Sequence, residues 1–92
     1  MSWTVVLHPK VVKMVPRLPK RIQEVLELLL RELEENGPVR GTWPNYGKLT
    51  ATCHHCHLKK GHPTYVAVWD VRDRQLHVIE VIYVGTHEKA PY

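Results

Sequence analysis

The strongest constraint on the fold is one amphipathic helix between Pro19 and Gly37. Its apolar residues recur every three or four positions, as one buried helix face requires, and charged residues fill the opposite face. The apolar set is Ile22, Val25, Leu26, Leu29 and Leu33, and the charged set is Arg21, Glu24, Glu27, Arg31 and Glu35. The Asn36-Gly37-Pro38 sequence ends the helix with a cap residue and a proline. Such an apolar stripe has to be buried against other elements of the chain.

Three segments after this helix predict β-strands, at residues 48–58, 64–71 and 75–84. The two connections, Lys60-Gly61-His62-Pro63 and Arg72-Asp73-Arg74, are typical of hairpin turns. In the middle strand the two alternating sets are Tyr65, Ala67, Trp69 and Val71 on one side, and Val66, Val68 and Asp70 on the other. The first set is bulkier and is therefore the better core candidate.

The rest of the chain completes the element order. Residues 3–7 are β-branched and aromatic and predict a first strand. Residues 9–15 predict a short helix that Pro16 stops, and residues 39–47 predict a loop with Trp43 or Tyr46 packed on the core. The order β-α-α-β-β-β indicates an α+β fold, in which two N-terminal helices pack on one face of an antiparallel sheet. We expect one domain, residues 1–92.

Composition and cysteine content narrow the class of protein. With 43% hydrophobic and 24% charged residues, the chain is typical of a globular domain and not of a disordered one. The sequence predicts no signal peptide and no membrane span. Its two cysteines, Cys53 and Cys56, are too close together to form a disulfide framework. The cytoplasm is the expected compartment.

Charge is distributed unevenly, and this points to a polyanionic partner. The net charge is +4, yet five of the nine acidic residues lie on the long helix and residues 36–69 contain none. A local field of one sign attracts polyanions such as nucleic acid. The alternative is a solvated basic face without a partner. The acid-free stretch holds Arg40, Lys48, Lys59 and Lys60 together with His54, His55, His57 and His62.

The Cys53-His54-His55-Cys56-His57 sequence also invites a metal interpretation, because Cys-x-x-Cys and His-x-x-His are ligand spacings. On an extended strand, however, alternate residues point to opposite faces, so one strand cannot easily supply four converging ligands. A structural zinc site would need further ligands such as His62 or His87. We therefore predict no metal site, and a buried cysteine is more consistent with core packing than with a nucleophile.

The same residues suit RNA cleavage without a metal. That reaction needs a base for the 2′-hydroxyl, cations for the phosphate and an acid for the leaving 5′-oxygen. Histidines can serve as base or acid near neutral pH, and Lys59 and Lys60 as cations. The C-terminal tail adds His87, Glu88, Lys89 and Tyr92. Tyr92 can stack on a base, or it can simply be a frayed terminal residue.

Taken together, these segments resemble a known protein family. The resemblance spans essentially the whole chain and is carried by Leu18-Pro19 before the leucine-rich helix, by residues 43–49, by Tyr65-Val66-Ala67-Val68-Trp69-Asp70-Val71, and by Val84-Gly85-Thr86-His87-Glu88-Lys89 with Tyr92. In these features the chain resembles the RelE/ParE superfamily of bacterial toxin-antitoxin toxins, and specifically its RelE-like branch of mRNA interferases. The resemblance implies a toxin that cuts mRNA in the ribosomal A site, inhibits translation, uses no metal or cofactor and is silenced by a cognate antitoxin.

The chain departs from the family where the catalytic residues lie. Matching around Gly61 places the two second-strand lysines of the best-known branch on His54 and Cys56, and its third-strand arginine on Val66. The position after the last strand is kept as His87, with Tyr92 near the usual aromatic. The chemistry would then use His55 or His57 as base, Lys59 as a catalytic cation, His87 as acid and Tyr92 as a stacking or orienting group. The expected RNA-binding residues are Lys48, His54, Lys60, His62 and Lys89.

Several alternatives stay open at this point. A one-residue bulge would exchange His54 for His55 on the functional face. A ParE-like toxin would act on DNA gyrase instead of mRNA. A non-catalytic regulatory module would hold RNA on the basic hairpin or zinc on the Cys/His cluster. The chain could also be a structural part of a larger assembly.

Overall fold

The chain folds into two helices and a five-stranded sheet in this computed structural model, which describes residues 2–92. In chain order the elements are β1 (Thr4–Leu7), α1 (Pro9–Met14), a 3-10 turn (Val15–Arg17), α2 (Lys20–Asn36), β2 (Gly47–Lys48), β3 (Cys53–Lys59), β4 (Tyr65–Asp73), β5 (Val78–Thr86) and a second 3-10 turn (His87–Lys89). The strand order in the sheet is β1-β5-β4-β3-β2. The predicted α+β class, with both helices packed against the sheet, is confirmed. Within residues 2–92, no helix has both the length and the apolar character that a membrane crossing requires.

Helix α2 buries the face that the sequence predicts. Val25 packs at the edge of the same core. The helix ends at Gly37, which has a left-handed backbone with φ of 90°. A Cβ atom at this position would lie 2.9 Å from the indole nitrogen of Trp3, so glycine is required both by conformation and by space. Four apolar residues of α2 are at most 2% exposed: Ile22, Leu26, Leu29 and Leu33.

The central strand β4 packs its bulkier side against the helices, as the alternation suggested. Ala67 and Trp69 are completely buried in the core that the sheet shares with α1 and α2. The indole nitrogen of Trp69 donates a hydrogen bond to the Pro38 carbonyl, 3.0 Å away, which fixes the segment after α2 to the sheet. The loop before β2 contacts the core through both of its predicted anchors, Trp43 and Tyr46.

The sheet differs from the prediction at both edges. β1 pairs with β5 in parallel, so the sheet is mixed. The two are separated by most of the chain, and the long connection removes the antiparallel constraint that a hairpin imposes. The predicted strand at residues 48–58 is instead two antiparallel strands, β2 and β3. A turn interrupts it, in which the Thr50 hydroxyl accepts a hydrogen bond from the Cys53 N–H, 3.0 Å away.

The β4–β5 hairpin turns later than the sequence suggested. The turn occupies residues 74–77 and is held by a hydrogen bond from the Leu76 N–H to the Asp73 carboxylate, 2.9 Å away. His77 closes it with a positive φ of 57°. Strand β5 then runs through Gly85 and Thr86, which were expected to belong to the tail. The C-terminal segment therefore starts from the end of a rigid strand.

Candidate active site

Strand β3 divides its residues between the two faces of the sheet. Cys56 and Leu58 are buried in the core beneath the helices. His55 and His57 pair with Val68 and Val66 and point to the opposite face, termed the open face below. The alternation of the strand thus gives neighbouring histidines different surroundings, and it determines which of them a ligand can reach.

His54 belongs to the core, so the prediction that its side chain contacts RNA is wrong. The side chain is only 2% exposed, and its ring lies parallel to the Trp69 indole, with 6.0 Å between ring centroids. Its Nδ1 atom is 2.7 Å from the Tyr46 hydroxyl, a hydrogen-bond distance. Burial lowers the pKa of His54, and the nearby Lys48 charge lowers it further. A neutral histidine packed between aromatic rings holds the sheet to the loop before β2.

On the open face, four side chains meet to form what we term the histidine cluster: His55, His57, His87 and Tyr92. The rings of His57 and His87 are 5.7 Å apart between centroids, and they meet edge to face. Tyr92 lies 4.8 Å from the His55 ring and 5.6 Å from the His87 ring. The cluster thus brings together two residues of β3 and two residues that lie 30 or more positions later in the sequence.

The path of the C-terminal segment explains how His87 and Tyr92 reach the cluster. After Thr86 the His87 N–H donates a hydrogen bond to the Thr64 carbonyl, 2.8 Å away, which ties the end of β5 to the start of β4. A single 3-10 turn follows, and the chain then brings Tyr92 against His55. Tyr92 remains 43% exposed, so one part of its ring is packed and the other is accessible.

A cleft of about 310 Å³ opens beside the cluster. His57 and His87 line it together with His62, so three of the predicted site residues share one concavity. Sequence analysis missed Thr64 and Thr86 as lining residues, since single threonines carry no sequence signal and are recruited only because β4 begins where β5 ends. Glu88 also lines the cleft and places a carboxylate near the histidines.

The electrostatics of the cleft favour a neutral His57. Partial burial lowers the pKa of His57, and the neighbouring His87, His55 and Lys60 lower it further by repulsion. The pKa of His55 is lowered as well, by burial and then by His87. A neutral imidazole can accept a proton at pH 7, so His57 is suited to act as a base.

His55 is less accessible than His57. It does not line the cleft, and its Nε2 atom packs over Gly47 so closely that a Cβ atom there would be 3.2 Å away. Its Nδ1 atom is buried without a hydrogen-bond partner. Of the two histidines predicted as candidate bases, His57 therefore has the better position, and His55 supports Tyr92.

The predicted lysines fall in different places. Lys59 follows a β-bulge and pairs with Tyr65, whose side chain packs on the core, so its register position is on the helix-covered face. Lys48 pairs with the buried His54 and shares that face too. Lys60 is exposed in the following turn, and its charge acts on His57. Lys89 lines a separate groove. Of these four lysines, Lys60 is the one whose charge acts on a member of the histidine cluster, whereas the Lys48 charge acts on the buried His54.

The Cys/His sequence does not converge on a metal-binding arrangement in the part of the chain that is described. Cys56 and His54 lie in the core, whereas Cys53, His55 and His57 belong to the open face. Burial raises the pKa of the Cys56 thiol to about 12, so this sulfur is a poor metal ligand and a poor nucleophile. Across residues 2–92, no three His, Cys, Asp or Glu side chains are grouped as a metal ion would require.

Comparison with known proteins identifies the architecture. Neither protein-family models nor curated protein sequences give a match. Three solved structures superpose closely. The toxin RelE of Escherichia coli, in a mutant form, has a TM-score of 0.72 at 22% identity, covering 96% of this chain and 86% of that chain. The RelE of an archaeal RelE–RelB complex from Pyrococcus horikoshii gives 0.71 at 20%, covering 98% and 100%. YoeB from Staphylococcus aureus gives 0.68 at 16%, covering 95% and 99%. The chain therefore has the fold of the RelE and YoeB toxins.

Proposed function

We propose that this protein is the toxin of a type II toxin-antitoxin system and that it cleaves mRNA in the ribosomal A site, with no metal or cofactor. The observation that carries the proposal is the meeting of His57 and His87 at one cleft, with their rings 5.7 Å apart. The RelE fold supports the class of protein, and the histidine pair supports the reaction. The toxin has to be present in the cytoplasm, where ribosomes translate mRNA.

The two histidines divide the acid–base work. The neutral His57 imidazole accepts the proton of the ribose 2′-hydroxyl while the 2′-oxygen forms a bond to phosphorus. As the bond from phosphorus to the 5′-oxygen breaks, the protonated His87 imidazole gives its proton to that oxygen. The products are a 2′,3′-cyclic phosphate and a 5′-hydroxyl. A phosphate bound in the cleft that both residues line would be close to both imidazoles, as acid–base catalysis by the pair requires.

The remaining residues bind and orient the substrate. Lys60 and His62 lie on the hairpin turn beside the cleft and supply positive charge or hydrogen bonds to the phosphate. Tyr92 packs edge to face on His87 and keeps part of its ring exposed for stacking on a base. The His55 ring packs against Tyr92 and holds it in this position.

Dependence on the ribosome is consistent with the low charge of the isolated site. The phosphate that passes through the transition state carries additional negative charge, which cations stabilise in most enzymes of this type. Here Lys60 is the lysine whose charge acts on His57, and Glu88 contributes a carboxylate to the same cleft. The ribosome would therefore have to position the mRNA and complete the electrostatic stabilisation.

An antitoxin is the expected protein partner. Solved structures contain RelE in a RelE–RelB complex and YoeB in a YoeB–YefM complex. A protein with the same fold and a toxic activity would need such a partner. A neighbouring gene that encodes a small acidic protein would be the expected antitoxin gene.

The test is controlled expression in a bacterial host with mapping of mRNA 5′ ends. Wild type is compared with the His57→Ala/His87→Ala double variant and with His77→Asn, a matched control. His77 stacks on Trp3 away from the cleft and has a positive φ that asparagine accepts. Wild type and the control should arrest growth and cut translated messages, and the double variant should do neither.

The outcomes separate the alternatives. If wild type neither arrests growth nor produces cuts, the ribonuclease proposal fails. If growth arrest persists in the double variant without mRNA cuts, the protein acts on another target, such as DNA gyrase. If cuts persist in the double variant, the fold retains its activity but the assignment of His57 and His87 is wrong.

A further inference from the structure

A second basic surface lies on the N-terminal helices, outside the candidate active site. The first 23 residues contain five lysines and arginines and no acidic residue. Three of these cations, Lys10, Lys13 and Arg17, follow one another at intervals of three and four along α1 and the 3-10 turn after it. This spacing places them on the same side of the helix. All three are exposed, and together with Met14 they line one concavity of about 220 Å³.

These cations have no ionic partner among the residues that the structure describes. All ion pairs closer than 4.0 Å in residues 2–92 involve Arg31, Arg40 or Arg72. A surface that places three unpaired positive charges around one concavity is costly in self-repulsion, and binding an anionic chain relieves that repulsion. The surface is therefore arranged for a polyanion.

A groove of about 160 Å³ lies between this surface and the active-site cleft and shares lining residues with both. Arg17 and Met14 line its outer end, where they are shared with the basic concavity. Thr86 lines its inner end and is shared with the cleft that holds His57 and His87. The shared lining residues place the three concavities next to one another, in a series from Lys10 to the histidines.

The groove between the two ends combines cations with aromatic rings. Tyr65 and Tyr83 line it, and Arg17 and Lys89 lie beside them. The Tyr83 hydroxyl donates a hydrogen bond to the Thr86 carbonyl, 2.6 Å away, which fixes the ring in place. Aromatic side chains interleaved with cations are the usual means of binding single-stranded nucleic acid, since bases stack on the rings and phosphates meet the charges.

We propose that this path, termed the basic groove (Lys10, Lys13, Arg17, Tyr65, Tyr83 and Lys89), binds the nucleotides that flank the cut in the same RNA strand. The inference rests on the proposed ribonuclease function, because the strand enters from the cleft. The position of the groove next to the cleft, with Thr86 lining both, favours the substrate strand over a separate partner. The aromatic floor favours a single strand over a helix, whose bases are already stacked.

The test measures affinity by fluorescence anisotropy for labelled 2′-O-methyl RNAs, which cannot be cleaved because they lack the 2′-hydroxyl nucleophile. The probes are single strands of roughly 4 and 16 nucleotides, which span typical site sizes, and a hairpin of the longer length. The Lys13→Gln/Arg17→Gln variant is compared with Arg31→Gln/Arg74→Gln. The two variants lose the same charge, and Arg31 and Arg74 are exposed and line none of the three concavities.

For the longer strand, the magnitude of the slope of log affinity against log salt concentration should be smaller by about 1.4 in the Lys13→Gln/Arg17→Gln variant. Each lost phosphate contact on a single strand lowers this magnitude by about 0.7, and the variant loses two. The 4-nucleotide strand and the control variant should show little change. Thermal unfolding of each variant checks that the fold is intact.

Other outcomes overturn the inference. If both variants change the slope equally, only net charge matters and the basic groove is not a binding site. If the loss is confined to the hairpin, the groove serves a structured RNA and not the substrate strand. If the variant keeps its RNA affinity but loses binding to polyglutamate, the occupant is an acidic protein. Failure of wild type to bind any RNA would overturn this inference, whereas the mapping of mRNA 5′ ends tests the proposed function separately. Intact cleavage with an unchanged slope would overturn this inference alone.

Discussion

Histidines on the two faces of one strand have different surroundings. His54 and His57 both lie on β3, three positions apart. His54 faces the helices, contacts Tyr46 and Trp69 and is closed to solvent. His57 faces the other way and lines a cleft with His87. The pKa of each is lowered by burial, but only His57 is placed where a neutral imidazole can take a proton from a ligand.

A histidine-rich sequence on a strand therefore contains two interleaved sets of side chains, one on each face of the sheet. Strand geometry alternates side chains between faces, so the Cys53–Lys59 segment contributes one set to the core and another to the open face. Substitutions on one face should therefore affect stability, and those on the other should affect activity.

The largest difference is expected between the two cysteines. Cys56 is completely buried with its pKa raised to about 12, whereas Cys53 is half-buried on the other face. The shift from 9.0 to about 12 reduces the thiolate fraction of Cys56 about a thousandfold relative to an unshifted thiol, while partial burial and Asp70 also raise the pKa of Cys53. In Cys53→Ser protein, Cys56 should react with iodoacetamide only on unfolding. In Cys56→Ser protein, Cys53 should react in the native state. Native-state labelling of Cys56 at the rate of Cys53 would contradict the assignment of faces.

The next largest effect is on stability. His54→Ala should reduce the free energy of unfolding by about 2–4 kcal/mol, because it leaves a cavity beside Trp69 and an unpaired Tyr46 hydroxyl. His57→Ala, on the open face of the same strand, is the matched control and should change it by less than about 1 kcal/mol. Urea titrations of both variants measure this. Equal losses for the two would show that the faces are not energetically distinct.

Tyr92 gives a smaller effect, on activity. Tyr92→Ala removes the ring that packs on His55 and His87, and should reduce mRNA cleavage roughly 5- to 100-fold, the equivalent of one lost stacking contact. Tyr92→Phe keeps the ring and should remain close to wild type. Primer extension on a translated reporter message measures both. Loss of cleavage in the phenylalanine variant would instead assign a role to the hydroxyl.

The smallest effect concerns pH. Because the folded state lowers the pKa of His54, this residue stabilises the fold above its unfolded pKa of 6.5, and the contribution is lost as pH falls through the lower folded value. The melting temperature should therefore decrease between pH 7.5 and 5, and His54→Gln should reduce that decrease by a few degrees. The lowered pKa values of His55 and His57 also reduce stability as the pH falls, so they account for part of the decrease that remains in the variant. An unchanged pH dependence in His54→Gln would contradict the burial argument.

The helix and strand periodicities predicted most of the fold. The spacing of the apolar residues in α2 and the alternation in β4 depend on local geometry alone, so both were read correctly from the sequence. The edges of the sheet were not. The parallel pairing of β1 with β5 depends on a contact across most of the chain, and the turn after Lys48 depends on one Thr50 hydrogen bond.

The sequence by itself determined that histidines and cations are concentrated between residues 48 and 62, and that His87 and Tyr92 follow the last strand. It did not determine which of them meet. Strand parity and a bulge removed His54 and Lys59 from the open face, and the end of β5 brought His87 and Tyr92 to His57 and His55. Residue type is a local property, whereas convergence depends on register and on the direction in which the chain leaves a strand. Only the tertiary structure decides those.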